Sequence, residues 1–68
     1  MPVARVTEIK STSPQSFEAA IREGLFRAHK TLENIKSAWI QDQEIVVDER
    51  GEIAEFRVLM KITFLLHD

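Results

Sequence analysis

An unbroken alternation runs through Phe56-Arg57-Val58-Leu59-Met60-Lys61-Ile62-Thr63-Phe64-Leu65-Leu66. Successive side chains of a strand point to opposite faces of its sheet, so the even-numbered residues are predicted to face a core. The odd-numbered residues mix charged, polar and apolar types. That second face is too polar for a core and too apolar to be simply solvated, which is typical of a subunit interface or the wall of a ligand site.

A long hairpin is predicted to lead into this strand. Residues 37–47 form the preceding strand, and Asp48-Glu49-Arg50-Gly51-Glu52 form the turn, with Gly51 supplying a positive φ. Strict alternation in the preceding strand predicts that Ala38 and Ile40 lie on one face. The opposite face then carries a large aromatic ring among small and amide side chains, in the row Ser37, Trp39, Gln41 and Gln43.

Helical spacing precedes the hairpin. The apolar residues follow steps of three and four over about five turns, which predicts an amphipathic helix with the stripe Phe17, Ala20, Ile21, Leu25, Ala28, Leu32 and Ile35. Ser13 is predicted to cap its first turn and Pro14 to occupy the first helical position. Gly24 costs roughly 1 kcal/mol relative to Ala inside a helix. Close approach of another backbone would account for it, and together with Phe26, which points off the stripe, it favours a contact between subunits.

The first segment, residues 3–10, is rich in β-branched residues and is predicted to be a short strand, with an edge position possible. The element order is therefore β-α-β-β. The fold class is α+β, a three-stranded antiparallel sheet folded over one amphipathic helix. Residues 1–68 are predicted to form one domain.

Size and composition favour self-association. A chain of 68 residues buries only about 60% of the surface that its unfolded form exposes, which leaves a marginal core. Cysteine is absent, and the two histidines, His29 and His67, lie far apart, so neither disulfides nor a histidine-rich metal site compensates. Oligomerisation is the remaining route to stability. No metal ligands are predicted.

The charge pattern excludes other classes. A net charge of −2 with interspersed signs gives no basic stripe for nucleic acid. No apolar run approaches the roughly 20 residues of a membrane span, so a cytoplasmic protein without a membrane partner is predicted. The sequence has no Cys/His or Ser/His/Asp set and no glycine-rich phosphate loop, so no catalytic residues are predicted and the protein is not expected to be an enzyme.

Three segments resemble the dodecin family over nearly the whole chain: Ser11-Thr12-Ser13 with Ser16-Phe17-Glu18-Ala19-Ala20, residues 27–35, and the closing strand from Glu55. The resemblance implies a β-α-β-β protomer assembled into a hollow homododecamer. Flavin-binding dodecins hold pairs of isoalloxazine rings between Trp side chains at two-fold interfaces, and a Gln on the last strand bonds the ring edge. The implied role is storage and sequestration of FMN, riboflavin or FAD.

The chain departs from this pattern at both key positions. Counted from Phe17, the family's stacking Trp falls on Ser37, and Trp39 lies one strand repeat later, roughly 7 Å away. The ring-edge Gln falls on Arg57. The predicted ligand-binding residues are therefore Ser37, Trp39, Gln41, Gln43 and Arg57.

Two functions stay open at this point. One is an oligomeric small-ligand store with flavin as the leading ligand. The other is a flavin-free dodecameric cage, binding a cation or an unknown ligand, in which Trp39 and Arg57 serve subunit assembly. For Arg57, an ion pair with an acidic neighbour such as Glu55 of another copy competes with a role at the ligand site.

Overall fold

The computed structural model describes residues 3–66 and has the order strand, helix, strand, strand. Strand β1 covers Ala4–Ser13, helix α1 Phe17–His29, strand β2 Ile35–Val47 and strand β3 Ile53–Leu65. The sheet is antiparallel with the order β1-β3-β2, so β3 is central and β1 is an edge strand, as expected. The predicted β-α-β-β fold is confirmed. His67 and the ends of the predicted domain lie outside the described residues.

The helix covers one face of the sheet and forms the core with it. The even-numbered row of β3 is confirmed as the buried row, because Val58, Met60 and Ile62 are all 0% exposed. Ala20 of the helix packs on this row, and Ala38 and Ile40 of β2 pack against it. The helix packs on β1 and β3 rather than on β2. The inner face is hereafter this helix-facing side, and the outer face is the opposite side.

The start of the helix differs from the prediction. Ser16, not Ser13, is the N-cap, and its hydroxyl accepts a hydrogen bond from the Ala19 N–H at 2.9 Å. A residue before proline is disfavoured in the α region, so β1 continues through Ser13 to the bond with Pro14. The buried Ser13 hydroxyl instead accepts a bond from the Gln15 N–H at 3.0 Å and shapes the turn.

The helix is also shorter than predicted. It ends at His29, so Leu32 lies in the connection and Ile35 begins β2. The N–H groups of Thr31 and Leu32 donate to the Ala28 carbonyl. Asn34 then takes a φ of 58°, a left-handed conformation that Asn tolerates better than most residues. The chain therefore reverses before the apolar periodicity stops.

Packing within the chain explains why position 24 is a glycine, so the interpretation of Gly24 as a subunit contact is wrong. A Cβ at this position would lie 2.6 Å from Met60 Cε and 3.0 Å from Ser11 Cβ. The glycine therefore lets the helix approach β1 and the buried row of β3. Its cost in helix propensity is offset by this close packing of helix on sheet.

The predicted hairpin turn is confirmed. Gly51 has a φ of 81° and its N–H donates to the Asp48 carbonyl at 3.0 Å. The Asp48 carboxylate accepts bonds from the N–H groups of Arg50 and Glu52 at 2.9 and 3.0 Å. This network fixes the tip of the hairpin. The hairpin extends past the helix, because a 13-residue helix is about 20 Å long and a 13-residue strand is about 43 Å long. The chain is accordingly elongated, with extents of 53 × 19 × 13 Å.

Candidate functional site

The outer face of the sheet carries the predicted site residue Trp39. Trp39 pairs in register with Lys61 of β3, which in turn pairs with Glu8 of β1. The indole is 65% exposed, an unusual state for the largest apolar side chain. Ser37 pairs with Thr63 on the same face, so the predicted shared side of Ser37 and Trp39 is confirmed.

A cation lies over the tryptophan ring. The Lys61 Nζ is 5.5 Å from the ring centroid, within the range of a cation–π interaction. The indole remains largely exposed with this contact in place. Sequence reasoning placed Lys61 only on a mixed face. The alternation marked its face, but identifying its neighbour required the register between β2 and β3.

A β-bulge at Gln41 changes the row of residues beside Trp39. The register shifts between Ile40 and Asp42, which leaves Gln41 without a partner on β3. Gln43 then pairs with the buried Val58 and lies on the inner side. The prediction that Gln43 shares a face with Trp39 is therefore wrong, because the extra residue reverses the alternation.

Acidic residues take the places predicted for the glutamines. After the bulge, Asp42 pairs with Leu59 and Glu44 pairs with Arg57, all on the outer face. The residues of β2 that pair on the outer face are therefore Ser37, Trp39, Asp42 and Glu44, with Gln41 at the bulge between Trp39 and Asp42. The charge of this outer row is more negative than the amide row that strict alternation predicted.

Arg57 lies at the acidic end of this face. Its guanidinium donates to one Glu55 carboxylate oxygen through Nη2 at 3.0 Å and Nε at 3.2 Å. This is the ion pair considered from the sequence, formed within one chain. Lys61 and Arg57 are four residues apart on β3, about 13 Å, so Arg57 and Trp39 are on one face without being neighbours.

A shallow cleft of about 320 Å³ opens beside Arg57. Lys10 and Glu44 bridge it with an ion pair of 3.2 Å, and Asp42 and Leu59 complete its outer-face lining. Gln43 also borders the cleft. Two bases, Lys10 and Arg57, and two acids, Asp42 and Glu44, line the cleft, so it presents balanced charges rather than one strong charge.

Within residues 3–66, no three His, Cys, Asp or Glu side chains lie close enough together to hold a metal ion. No helix in that part of the chain is long and apolar enough to cross a membrane.

The fold and this face define a class of protein. A short chain with a thin core exposes an aromatic ring, a cation and paired charges on one sheet face, and further apolar side chains elsewhere on its surface. These are the features of a small oligomeric binding protein.

Comparisons with known proteins agree with this class and narrow it. A family model described as Dodecin matches residues 3–67. The chain is 34% identical over 64 residues to the calcium dodecin of Mycobacterium tuberculosis, covering 94% of this chain and 89% of that one. It is 34% identical over 68 residues to the dodecin of Thermus thermophilus, covering 97% and 94%. The solved dodecin of Streptomyces davaonensis superposes with a TM-score of 0.92 at 36% identity, covering 98% and 97%. The chain belongs to the dodecin family.

Proposed function

We propose that this chain is the subunit of a homododecamer that binds and stores a flavin on the outer face of its sheet. The exposed Trp39 carries the proposal, because an aromatic ring left in water on a flat sheet face offers a stacking surface for a planar ligand. Two copies meeting at such faces would enclose a ligand between two indoles. FMN, riboflavin and FAD share the required ring system.

The neighbouring side chains have distinct roles in this proposal. Lys61 covers one side of the indole and provides a positive charge for a flavin phosphate or an electron-rich ring edge. Ser37 lies one repeat along the strand and gives room beside the indole. Gln41, freed from sheet pairing by the bulge, is the amide available to bond a ring edge.

Arg57 and Gln43 have weaker support as ligand residues. Arg57 is about 13 Å from the ring within one chain, so it reaches the ligand only if an adjoining copy brings it there. Gln43 is placed on the inner side by its pairing with Val58, although it also borders the outer cleft. We therefore place Trp39, Lys61, Ser37 and Gln41 nearest the ligand.

A cation-binding cage is the second candidate function. The M. tuberculosis relative carries calcium in its name, and its identity to this chain, 34%, equals that of the T. thermophilus dodecin. Calcium takes six to eight oxygen ligands, and the outer row offers Asp42 and Glu44. One copy supplies too few oxygens, so this candidate requires carboxylates from several copies. Trp39 and Arg57 would then serve assembly.

Equilibrium dialysis distinguishes the two candidates. Apo protein is dialysed against riboflavin, FMN and Ca²⁺ in separate cells, after light scattering has given its mass. We expect a mass near twelve chains and saturable flavin binding. Saturable Ca²⁺ binding without flavin binding would replace the flavin store with the cation cage, and a monomer would remove both.

A further inference from the structure

The tip of the hairpin exposes apolar side chains that its own helix does not reach. Ile45, Val47 and Ile53 are 44–53% exposed. Ile45 pairs with Phe56, and Val47 pairs with Ile53, so the three extend the inner face beyond the helix. Phe17, the first helical residue, already packs on Phe56 with ring centroids 5.1 Å apart. The first turn of the helix is therefore the limit of its cover, and the apolar tip extends beyond it.

A groove at the opposite side of the molecule has a matching character. It measures about 1050 Å³ and lies between the second half of the helix and the edge strand β1. Phe26 borders it and is 61% exposed, with Lys30 Nζ 4.7 Å from the ring centroid. Ile9 and Ala28 add apolar surface to its walls.

The charges of the tip and the groove are opposite. The turn of the tip carries the acids Asp48, Glu49 and Glu52 against the single base Arg50. Asp48 is engaged with backbone N–H groups, which leaves Glu49 and Glu52 as its free carboxylates. The groove carries the bases Lys10, Arg27 and Lys30 against the single acid Glu23 among its lining residues.

We infer that the hairpin tip of one copy docks into the helix–β1 groove of the next copy. Ile45, Val47 and Ile53 would cover Phe26, while Glu49 and Glu52 would meet Arg27 and Lys30. The tip cannot reach this groove in its own chain, because it projects past the start of the helix and Phe26 lies nine residues further along. The contact joins two different surfaces, so it propagates from copy to copy and closes into a ring when the rotation allows.

This contact rests on the proposed self-assembly and specifies one of its interfaces. It predicts that residues 26 and 47 of different copies lie side by side. Because the chain has no cysteine, introduced thiols report on that neighbourhood without background. The double variant Phe26→Cys with Val47→Cys is oxidised in the assembled state and run on a denaturing, non-reducing gel.

We expect a ladder of covalent multimers from this double variant. The matched control is Phe26→Cys with Val6→Cys, since Val6 is 54% exposed and lies on β1 away from the tip. A ladder of equal yield from the control, or no ladder from an assembled Phe26/Val47 variant, would overturn the contact and leave self-assembly standing. A monomeric wild type would instead overturn the assembly itself.

Charge reversal tests the same contact without introduced thiols. Arg27→Glu with Lys30→Glu is expected to raise the concentration at half-dissociation by about tenfold or more, because like charges would then face each other. Adding Glu49→Lys and Glu52→Lys is expected to restore it. Unchanged dissociation in the first variant, or no recovery in the second, would contradict the contact.

Discussion

The two faces of the sheet are made of alternate residues of the same strands, yet they have opposite characters. The inner face holds Val58, Met60 and Ile62 with no exposure, closed by a helix that Gly24 allows to approach. The outer face holds an exposed Trp39, a lysine over its ring and ion pairs open to water. The inner face supplies the buried core of the protomer, whereas the outer face is expected to contribute little to its stability.

The largest effect is expected from truncation at the centre of the inner face. Met60→Ala removes a fully buried side chain and leaves a cavity, which should lower the free energy of unfolding by about 2–5 kcal/mol. The neighbouring Leu59→Ala, on the outer face and only half-buried, should cost about 1 kcal/mol. Denaturant unfolding at one fixed protein concentration measures both, since assembly contributes to apparent stability. Equal losses would show that the two faces do not differ in this way.

A smaller effect is expected at the closest approach of helix and sheet. Gly24→Ala gains about 1 kcal/mol in helix propensity but forces a methyl group against Met60 and Ser11. Overpacking of a tight core costs about 1–3 kcal/mol, so the net result is a destabilisation of about 1 kcal/mol. Ala28→Gly, at another buried position of the helix, is the matched reverse change. A Gly24→Ala protein more stable than the wild type would contradict the tight packing between the helix and the sheet at this position.

The smallest effect is expected from the ion pair of the outer face. Glu44→Gln removes the Lys10–Glu44 pair, whose side chains are both more than half exposed. Exposed pairs contribute about 0–1 kcal/mol, so the loss should be below about 0.5 kcal/mol. Thermal unfolding at low and at high salt checks this. A loss comparable to that of Met60→Ala would mean that the outer face is a structural surface.

The inner face was predictable because burial imposes a period on the sequence. The even-numbered row of β3 and the glycine turn each follow from a local rule, and both are confirmed. Local signals misled where two elements competed for the same residues. Ser13 belongs to β1 because Pro14 keeps it extended, and Asn34 ends the connection although Leu32 and Ile35 continue the helical spacing.

The outer face was less predictable because it depends on register. The extra residue at Gln41 moves Gln43 off the face of Trp39 and puts Asp42 and Glu44 on it. No residue type in the sequence indicates that bulge. Lys61 reaches the indole only because β2 and β3 pair as they do. The roles of Ser37, Trp39, Gln41, Gln43 and Arg57 as ligand residues stay predictions.

Flavin emission tests the role of the outer face most directly. Riboflavin is titrated with wild-type protein and with Trp39→Leu, each first shown to have the same mass by light scattering. We expect strong quenching by the wild type, because an indole stacked on the flavin opens a fast electron-transfer path to the excited ring, and near-complete loss of quenching in the variant. Phe26→Leu changes an aromatic ring of similar exposure, in the groove proposed to receive the hairpin tip; once light scattering gives it the wild-type mass, it should quench as the wild type does. Unchanged riboflavin emission at high wild-type concentration would contradict a flavin site at Trp39.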